Sequence, residues 1–261
     1  LMPRTPAAVL ANAVQNPDDR ARQGVRTMSS RLTFLEVLLQ GYLAAKGRMN
    51  LVQVGANDGR INDPIHAFVM RNRALTRILL IEPQPEIIPF LRQNYAAHPD
   101  ALVHQGAIGF EDSLRLFRVK PTLWAAYDPP YMKDAPAYRV PSGFTSSSIE
   151  HVRRHAEGNF RIDAPLDDCI EALRVPCSGL HALISRLSWK QDIDVLQIDA
   201  EGADDEVIYA SDTERLRPRV INFERRHLSD ERQRKLEAFL SGQGYAILNW
   251  SDSDSTAILH G

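Results

Sequence analysis

Cysteine is scarce: Cys169 and Cys177 are the only two in 261 residues. That excludes a disulfide framework and offers no paired zinc-binding spacing. Long apolar runs are missing as well; none reaches the roughly 18 residues that a membrane span needs. Charge of one sign does not dominate, with 31 basic against 33 acidic side chains and a net charge of -2. No lysine- or arginine-rich block stands out, which argues against a nucleic-acid partner. The N-terminal residues hold no apolar signal-like core. With so little cysteine, these absences lead us to expect a cytoplasmic protein.

What is present is an ordinary globular composition, 44% hydrophobic and 25% charged, in a chain long enough to bury one sizeable core. Residues 1 to about 30 are rich in Ala, Pro, Asn, Gln and Arg with weak periodicity and read as a loosely packed arm. "RLTFLEVLLQGYLAAKG" (31–47) has leucines at helical spacing and ends on Gly47, a good C-cap. Strands are expected near 50–55, 77–83, 101–109, 192–202 and 218–228, with an extra edge strand at 113–119. Helices are expected over 63–72, 86–97, 179–187 and 230–244, and a further one begins at "IEHV" (149–152). Strands apolar on both faces and alternating with helices predict a parallel sheet covered on two sides. "YAILNWS" and "STAILH", separated by a few polar residues, predict an antiparallel hairpin at the end of the sheet. In such an α/β doubly wound sheet the ligand lies beyond the carboxyl ends of the strands.

The turn after the first strand, "LVQVGANDGR" (51–60), narrows the ligand. A phosphate-cradling loop requires G-x-x-x-x-G-K-[ST], and both the spacing and the lysine are missing. A dinucleotide fold requires G-x-G-x-x-G, with a pyrophosphate on the helix N-terminus. Here the pattern is Gly55-Ala56-Asn57-Asp58-Gly59, and Asp58 would repel a pyrophosphate. S-adenosylmethionine carries no phosphate and has a sulfonium and an ammonium, so acceptors at Asn57 and Asp58 suit its methionine end. Glu82, at the end of the second strand beside Pro83, is placed to accept from both ribose hydroxyls. A carboxylate there serves NAD or S-adenosylmethionine equally; the charge in the first loop favours the latter.

The segments "LVQVGANDG", "LLIEPQP", "SSSIEHV", "DVLQIDAEGADDEVI" and "VINFERRHL" together resemble the FkbM-type methyltransferases. The resemblance covers residues 48 to 260 or so and is most specific at "IDAEGAD", close to that family's "IDVEGAE". It implies a Rossmann-like class I methyltransferase sheet of seven strands in the order 3-2-1-4-5-7-6, with the hairpin as its last pair. It also implies methyl transfer from S-adenosylmethionine, usually to a hydroxyl of a sugar, macrolide or other secondary metabolite. In the family the serine pair Ser147 and Ser148 lies near the active site. The division that follows is an N-terminal arm and helix over 1–47 and a methyltransferase domain over 48–261.

Methylating an alcohol requires alignment of the nucleophile and removal of its proton, by a base or with the help of a metal. Asp199 and Glu201, ending the fourth strand, and Glu224 and His227, ending the fifth, are the candidate catalytic residues. A divalent metal held by these carboxylates is a further candidate. Acids in these positions could instead cap the helix starting near Asp204. Ala107 and Ile108 are expected to flank the adenine. The stretch 121–148, with Trp124, Tyr127 and Tyr131, reads as a substrate lid suited to a sugar face, and Ser148 as a helix cap. His151, Arg153, Arg154 and His155 form a small basic cluster, read as a solvated face, with contact to an acidic substrate as the alternative. The expected partner is a small-molecule or carbohydrate acceptor. The alternatives are N-methylation and a nucleotide-binding module without catalysis.

Overall fold

The computed structural model describes residues 33–129, 131–161, 164–187, 189 and 192–260. The arm expected over residues 1 to about 30 lies outside them. The chain begins with α1 (Phe34–Lys46), β1 (Met49–Val54), α2 (His66–Arg71), β2 (Thr76–Glu82), α3 (Ile88–Asn94) and β3 (Ala101–Gln105). It continues through β4 (Ala107–Ile108), β5 (Ser113–Val119), a 3-10 turn (Pro121–Ala126), α4 (Arg139–Gly143), α5 (Ile149–Ala156), α6 (Leu166–Cys169) and β6 (Ile170–Ser178). It closes with α7 (Leu180–Arg186), β7 (Val195–Ile198), α8 (Asp204–Ala210), α9 (Thr213–Leu216), β8 (Val220–Glu224), α10 (Asp230–Gly242), β9 (Tyr245–Asn249) and β10 (Asp254–Leu259).

The main sheet has seven strands in the order β3-β2-β1-β7-β8-β10-β9. The first five run parallel and the last two antiparallel, so the expected C-terminal hairpin forms. Successive residues point to opposite faces, and both faces are apolar. Val52, Leu79, Leu196 and Ile221 pack on one side against α7, α8 and α10. Leu51, Ile78, Leu80, Val195 and Val220 pack on the other side against α1, α2 and α3. This is why the central strands read as near-continuous hydrophobic runs. α1 is part of that second layer through Leu35, Leu39 and Leu43, and Thr33 and Gly47 cap its two ends.

One polar rung crosses the buried sheet. Gln53, Gln197, Asn222 and Thr256 are in register on β1, β7, β8 and β10. Asn222 Nδ2 donates to Gln197 Oε1 at 2.9 Å, and Thr256 Oγ1 donates to Asn222 Oδ1 at 2.6 Å. A slip of one residue would leave these amides in hydrocarbon, so the rung fixes strand register.

Three expectations need correction. The segment 101–109 is not one strand: β3 stops at Gln105, Gly106 N donates to the carbonyl of Glu82, and β4 joins a second sheet. β5 is not an edge of the main sheet; it pairs antiparallel with β6, and β4 pairs parallel with β6. β6 itself lies where the sequence reads as irregular. The second sheet backs onto its own apolar cluster, which includes Val119, Trp124, Tyr127, Phe144 and Val152. No helix among the described residues is long and apolar enough to cross a membrane.

Candidate functional site

A cavity of about 680 Å³ opens at the carboxyl ends of β1, β2, β7 and β8. Its size falls in the ~300–1,000 Å³ range of small-molecule sites. One end is built on the turn after β1. Gly55 N and Ala56 N both donate to the carbonyl of Ile81, at 3.0 and 3.1 Å, so the turn is tied to β2. Gly55 has φ +76 and is backed by β7: an added Cβ would lie 1.8 Å from the Asp199 carbonyl oxygen. No other residue type fits there. Asn57 N donates to Glu82 Oε2 at 2.8 Å, and Gln84 N donates to Glu82 Oε1 at 2.9 Å. Glu82 is thereby fixed at the cavity wall. Its carboxyl is pushed up to about 7, because burial outweighs the hydrogen bonds it accepts.

Gly55, Asn57, Glu82, Pro83, Ala107, Ile108 and Ser147 line this cavity together with Asp199, Glu201, Glu224 and His227. Ala56, Asp58, Gly59 and Ser148, also expected here, do not line it. Ala56 is buried in the core. Gly59 backs onto Leu91 and Tyr95. Ser148 caps α5, its Oγ accepting from His151 N at 3.2 Å.

Asp58 requires the largest revision. It is 1% exposed, and its carboxylate is already engaged. Oδ1 accepts from the backbone N–H groups of Arg60 and Ile61, both at 3.0 Å, and Oδ2 accepts from the Tyr138 hydroxyl at 3.1 Å. Asp58 therefore closes its own turn instead of facing a ligand. The acidic groups that do line the cavity are Glu82 at this end and Asp199, Glu201 and Glu224 at the other.

There, Asp199 N donates to the Val54 carbonyl at 3.0 Å, which holds the end of β7 against β1. Its Oδ1 is buried with no hydrogen-bond partner. Glu201 adopts φ +48, a strained backbone for a non-glycine residue, and its carbonyl accepts from Ser146 Oγ at 3.0 Å. Glu224 ends β8 and His227 follows it. His227 Nε2 lies 3.5 Å from Glu224 Oε2 and 3.7 Å from Glu201 Oε2. Asp199, Glu201, Glu224 and His227 are thus brought together from two neighbouring strands. Burial pushes the Asp199 carboxyl up to about 6 and Glu224 up to about 8, with the neighbouring carboxylates adding to both. Glu201 is raised well above the usual range by burial and by Asp199. Burial, then the adjacent His151 and Arg226, lower His227 to about 4.

Two residues of this site escaped the sequence reading. Asp204, fully buried, accepts from Glu224 N at 3.1 Å and from Ala200 N at 3.4 Å. It straps the two strand ends together, while the N-cap of α8 is Ala203, so neither Asp199 nor Glu201 caps that helix. His151 is 6% exposed, not solvated, and its Nε2 lies 3.2 Å from Glu201 Oε2. The available signal was its i, i+4 spacing to His155, which puts both rings on one face of α5.

The 121–148 segment is not irregular throughout. Trp124 and Tyr127 turn into its own core, whereas Tyr131, 49% exposed, stands at the cavity. α4 is stitched over the turn after β1. Arg139 donates twice to the Ile61 carbonyl at 2.7 and 3.0 Å, and Gln84 Nε2 donates to the Ser142 carbonyl at 3.0 Å. Asn57 Nδ2 donates to Ser142 Oγ at 3.0 Å.

Residues 53–247, well over half of the chain, match the family model described as the methyltransferase FkbM domain. No curated protein matches the chain significantly. Solved structures similar in fold include a precorrin-6y C5,15-methyltransferase from Geobacter metallireducens, at 13% identity over 94% of this chain and 100% of that one, with a TM-score of 0.42. Another is the Aeropyrum pernix fibrillarin with natively bound S-adenosyl-L-methionine, at 10% identity over 86% and 73%, with a TM-score of 0.39. A third is a ribosomal protein L11 methylase from Lactobacillus delbrueckii subsp. bulgaricus, at 10% identity over 86% and 78%, with a TM-score of 0.38. The residues present fit a cationic methyl donor: a fixed carboxylate at Glu82, apolar groups at Ala107 and Ile108, and an unpartnered buried carboxyl oxygen on Asp199. The chain belongs to the FkbM methyltransferase domain family and is an S-adenosylmethionine-dependent methyltransferase.

Proposed function

We propose that this methyltransferase acts on a hydroxyl of a small molecule or carbohydrate: a sugar, a glycoconjugate or a secondary metabolite. The observation that supports this reading is the buried, unpartnered Oδ1 of Asp199 in the same cavity as Glu201, Glu224 and His227. An alcohol is a poor nucleophile at neutral pH and needs a neighbouring acceptor for its proton. A neutral amine does not, and would leave so many buried acids without a purpose.

In this reading the backbone at Gly55 and Asn57 meets the methionine end of the donor, and Glu82 accepts from the ribose hydroxyls. Pro83, Ala107 and Ile108 flank the adenine. Ala56, Asp58 and Gly59 shape the turn, and Ser147 and Ser148 set the start of α5 beside it. The donor, when bound, supplies a methyl group on a positively charged sulfur. Asp199 accepts the acceptor's hydroxyl proton as the oxygen–carbon bond forms in line with the breaking carbon–sulfur bond. Residues 48–261 form the catalytic unit, and 121–148 cover the acceptor, with Tyr131 offering a ring face to a sugar.

The test is transfer of a labelled methyl group to panels of sugars, glycolipids and polyketides, with amine analogues alongside. Label in hydroxyls supports the reading; label confined to amines refutes it.

A further inference from the structure

We propose that His151, Glu201 and His227 form a binding site for one divalent transition-metal ion, with Glu224 beside His227 and an open position for the acceptor oxygen. The three residues come from different elements: α5, the turn after β7, and the segment after β8. Their donor atoms all lie within 4.8 Å of one another. Glu201 Oε2 is 3.2 Å from His151 Nε2 and 3.7 Å from His227 Nε2, and Glu224 Oε2 is 3.5 Å from His227 Nε2. An ion with bonds of ~2.1 Å holds neighbouring ligand atoms ~3.0–3.4 Å apart and opposite ones ~4.2 Å apart. The cluster is therefore close to ligand spacing, with small rotamer shifts needed to close it.

A second observation is independent of that spacing. His151 is 6% exposed, and its Nε2 has no hydrogen-bond partner although Glu201 is so near. A buried ring nitrogen left without a partner is costly. This one lies 3.2 Å from the Glu201 carboxylate, and the His151 and His227 rings meet edge to face with centroids 4.9 Å apart. An ion between them satisfies the orphan atom.

The donor set narrows the ion to a class. Two imidazoles with one or two carboxylates suit Zn²⁺, Fe²⁺, Co²⁺ or Mn²⁺; an all-oxygen set would suit Mg²⁺ or Ca²⁺. The supporting shell is present: Ser146 holds the Glu201 backbone, Ser148 caps the helix that carries His151, and Asp204 fixes the strand end that carries Glu224. The role of the ion rests on the hydroxyl-transfer reading. Bound to the acceptor oxygen, it lowers the hydroxyl's pKa, and Asp199 takes the proton.

The experiment uses the full chain, stripped with chelator and titrated with Co²⁺, followed by visible absorption, and with Zn²⁺, followed by calorimetry. One equivalent should bind, and H151A and H227A should each weaken binding by at least ~100-fold. Both variants should hold S-adenosylmethionine within a few-fold of the wild type, which shows that they fold. If H151A does not fold, H227A carries the test. No stoichiometric uptake by the wild type, or wild-type affinity in a folded variant, overturns the site. Undiminished hydroxyl methylation in chelator overturns the role of the ion and leaves the hydroxyl reading standing. Stoichiometric metal with transfer only to amines overturns the hydroxyl reading, and the ion's role with it, and leaves the metal site standing.

Discussion

A Cβ added to Gly55 would stand 1.8 Å from the carbonyl oxygen of Asp199. The turn after β1 and the strand end that carries the proposed base are therefore in direct backbone contact. Because the obstacle is backbone and φ is +76, no rotamer change relieves it. Gly55→Ala is expected to force β1 and β7 apart, cost about 2–4 kcal/mol, and lower donor affinity more than tenfold. Thermal melts and donor titration measure both.

If Glu82 holds the ribose as proposed, donor binding is sensitive to pH. Its carboxyl sits at about 7, raised from 4.5 by burial. Ribose hydroxyls donate, so the ionised form is the binding form and affinity rises with pH. From about pH 6 to about pH 8 the ionised fraction grows roughly tenfold, and the apparent Kd falls by about the same factor. Stability of the ligand-free protein runs the other way. Across the window from 4.5 to about 7 the native state retains a proton that the unfolded chain has released, so this contribution declines as pH rises. Glu82→Gln should flatten both profiles in calorimetry and melting.

Asp58 is expected to act on the fold and not on donor charge. Asp58→Asn keeps an acceptor for the Arg60 and Ile61 N–H groups and weakens the bond from Tyr138. The expected loss is about 1 kcal/mol of stability, with donor Kd changed less than about fivefold. A loss of affinity far beyond that, at unchanged stability, would restore Asp58 as a ligand to the donor.

Asp204 is expected to behave as a positioning residue. Asp204→Ala leaves the N–H groups of Ala200 and Glu224 without their acceptor in a fully buried place. That should cost about 2–4 kcal/mol and lower kcat through the misplaced end of β8, while the acceptor KM changes little. Equal damage to kcat and KM would point to general unfolding instead.

The parallel core was legible because strands buried on both faces leave an unbroken apolar record, as in "RILLIE" and "DVLQI". The hairpin was legible from the short polar link between its strands. β6 was not, since "IEALRVPCS" mixes charges with a proline and is half exposed along its length. Asp58 was misread because Tyr138, which occupies its carboxylate, lies 80 residues away, and sequence spacing carries no trace of such a partner. His151 was hidden among arginines that do face solvent. The cluster of Asp199, Glu201, Glu224 and His227 was visible because acids at adjacent strand ends of a parallel sheet must converge.

The most direct measurement compares single-turnover methyl transfer to the best hydroxyl acceptor in the wild type and in Asp199→Asn, with donor affinity measured in parallel. The account predicts that the variant binds donor within a few-fold of the wild type and transfers methyl ~10²–10⁴ times more slowly. Transfer at the wild-type rate with intact donor binding would contradict it.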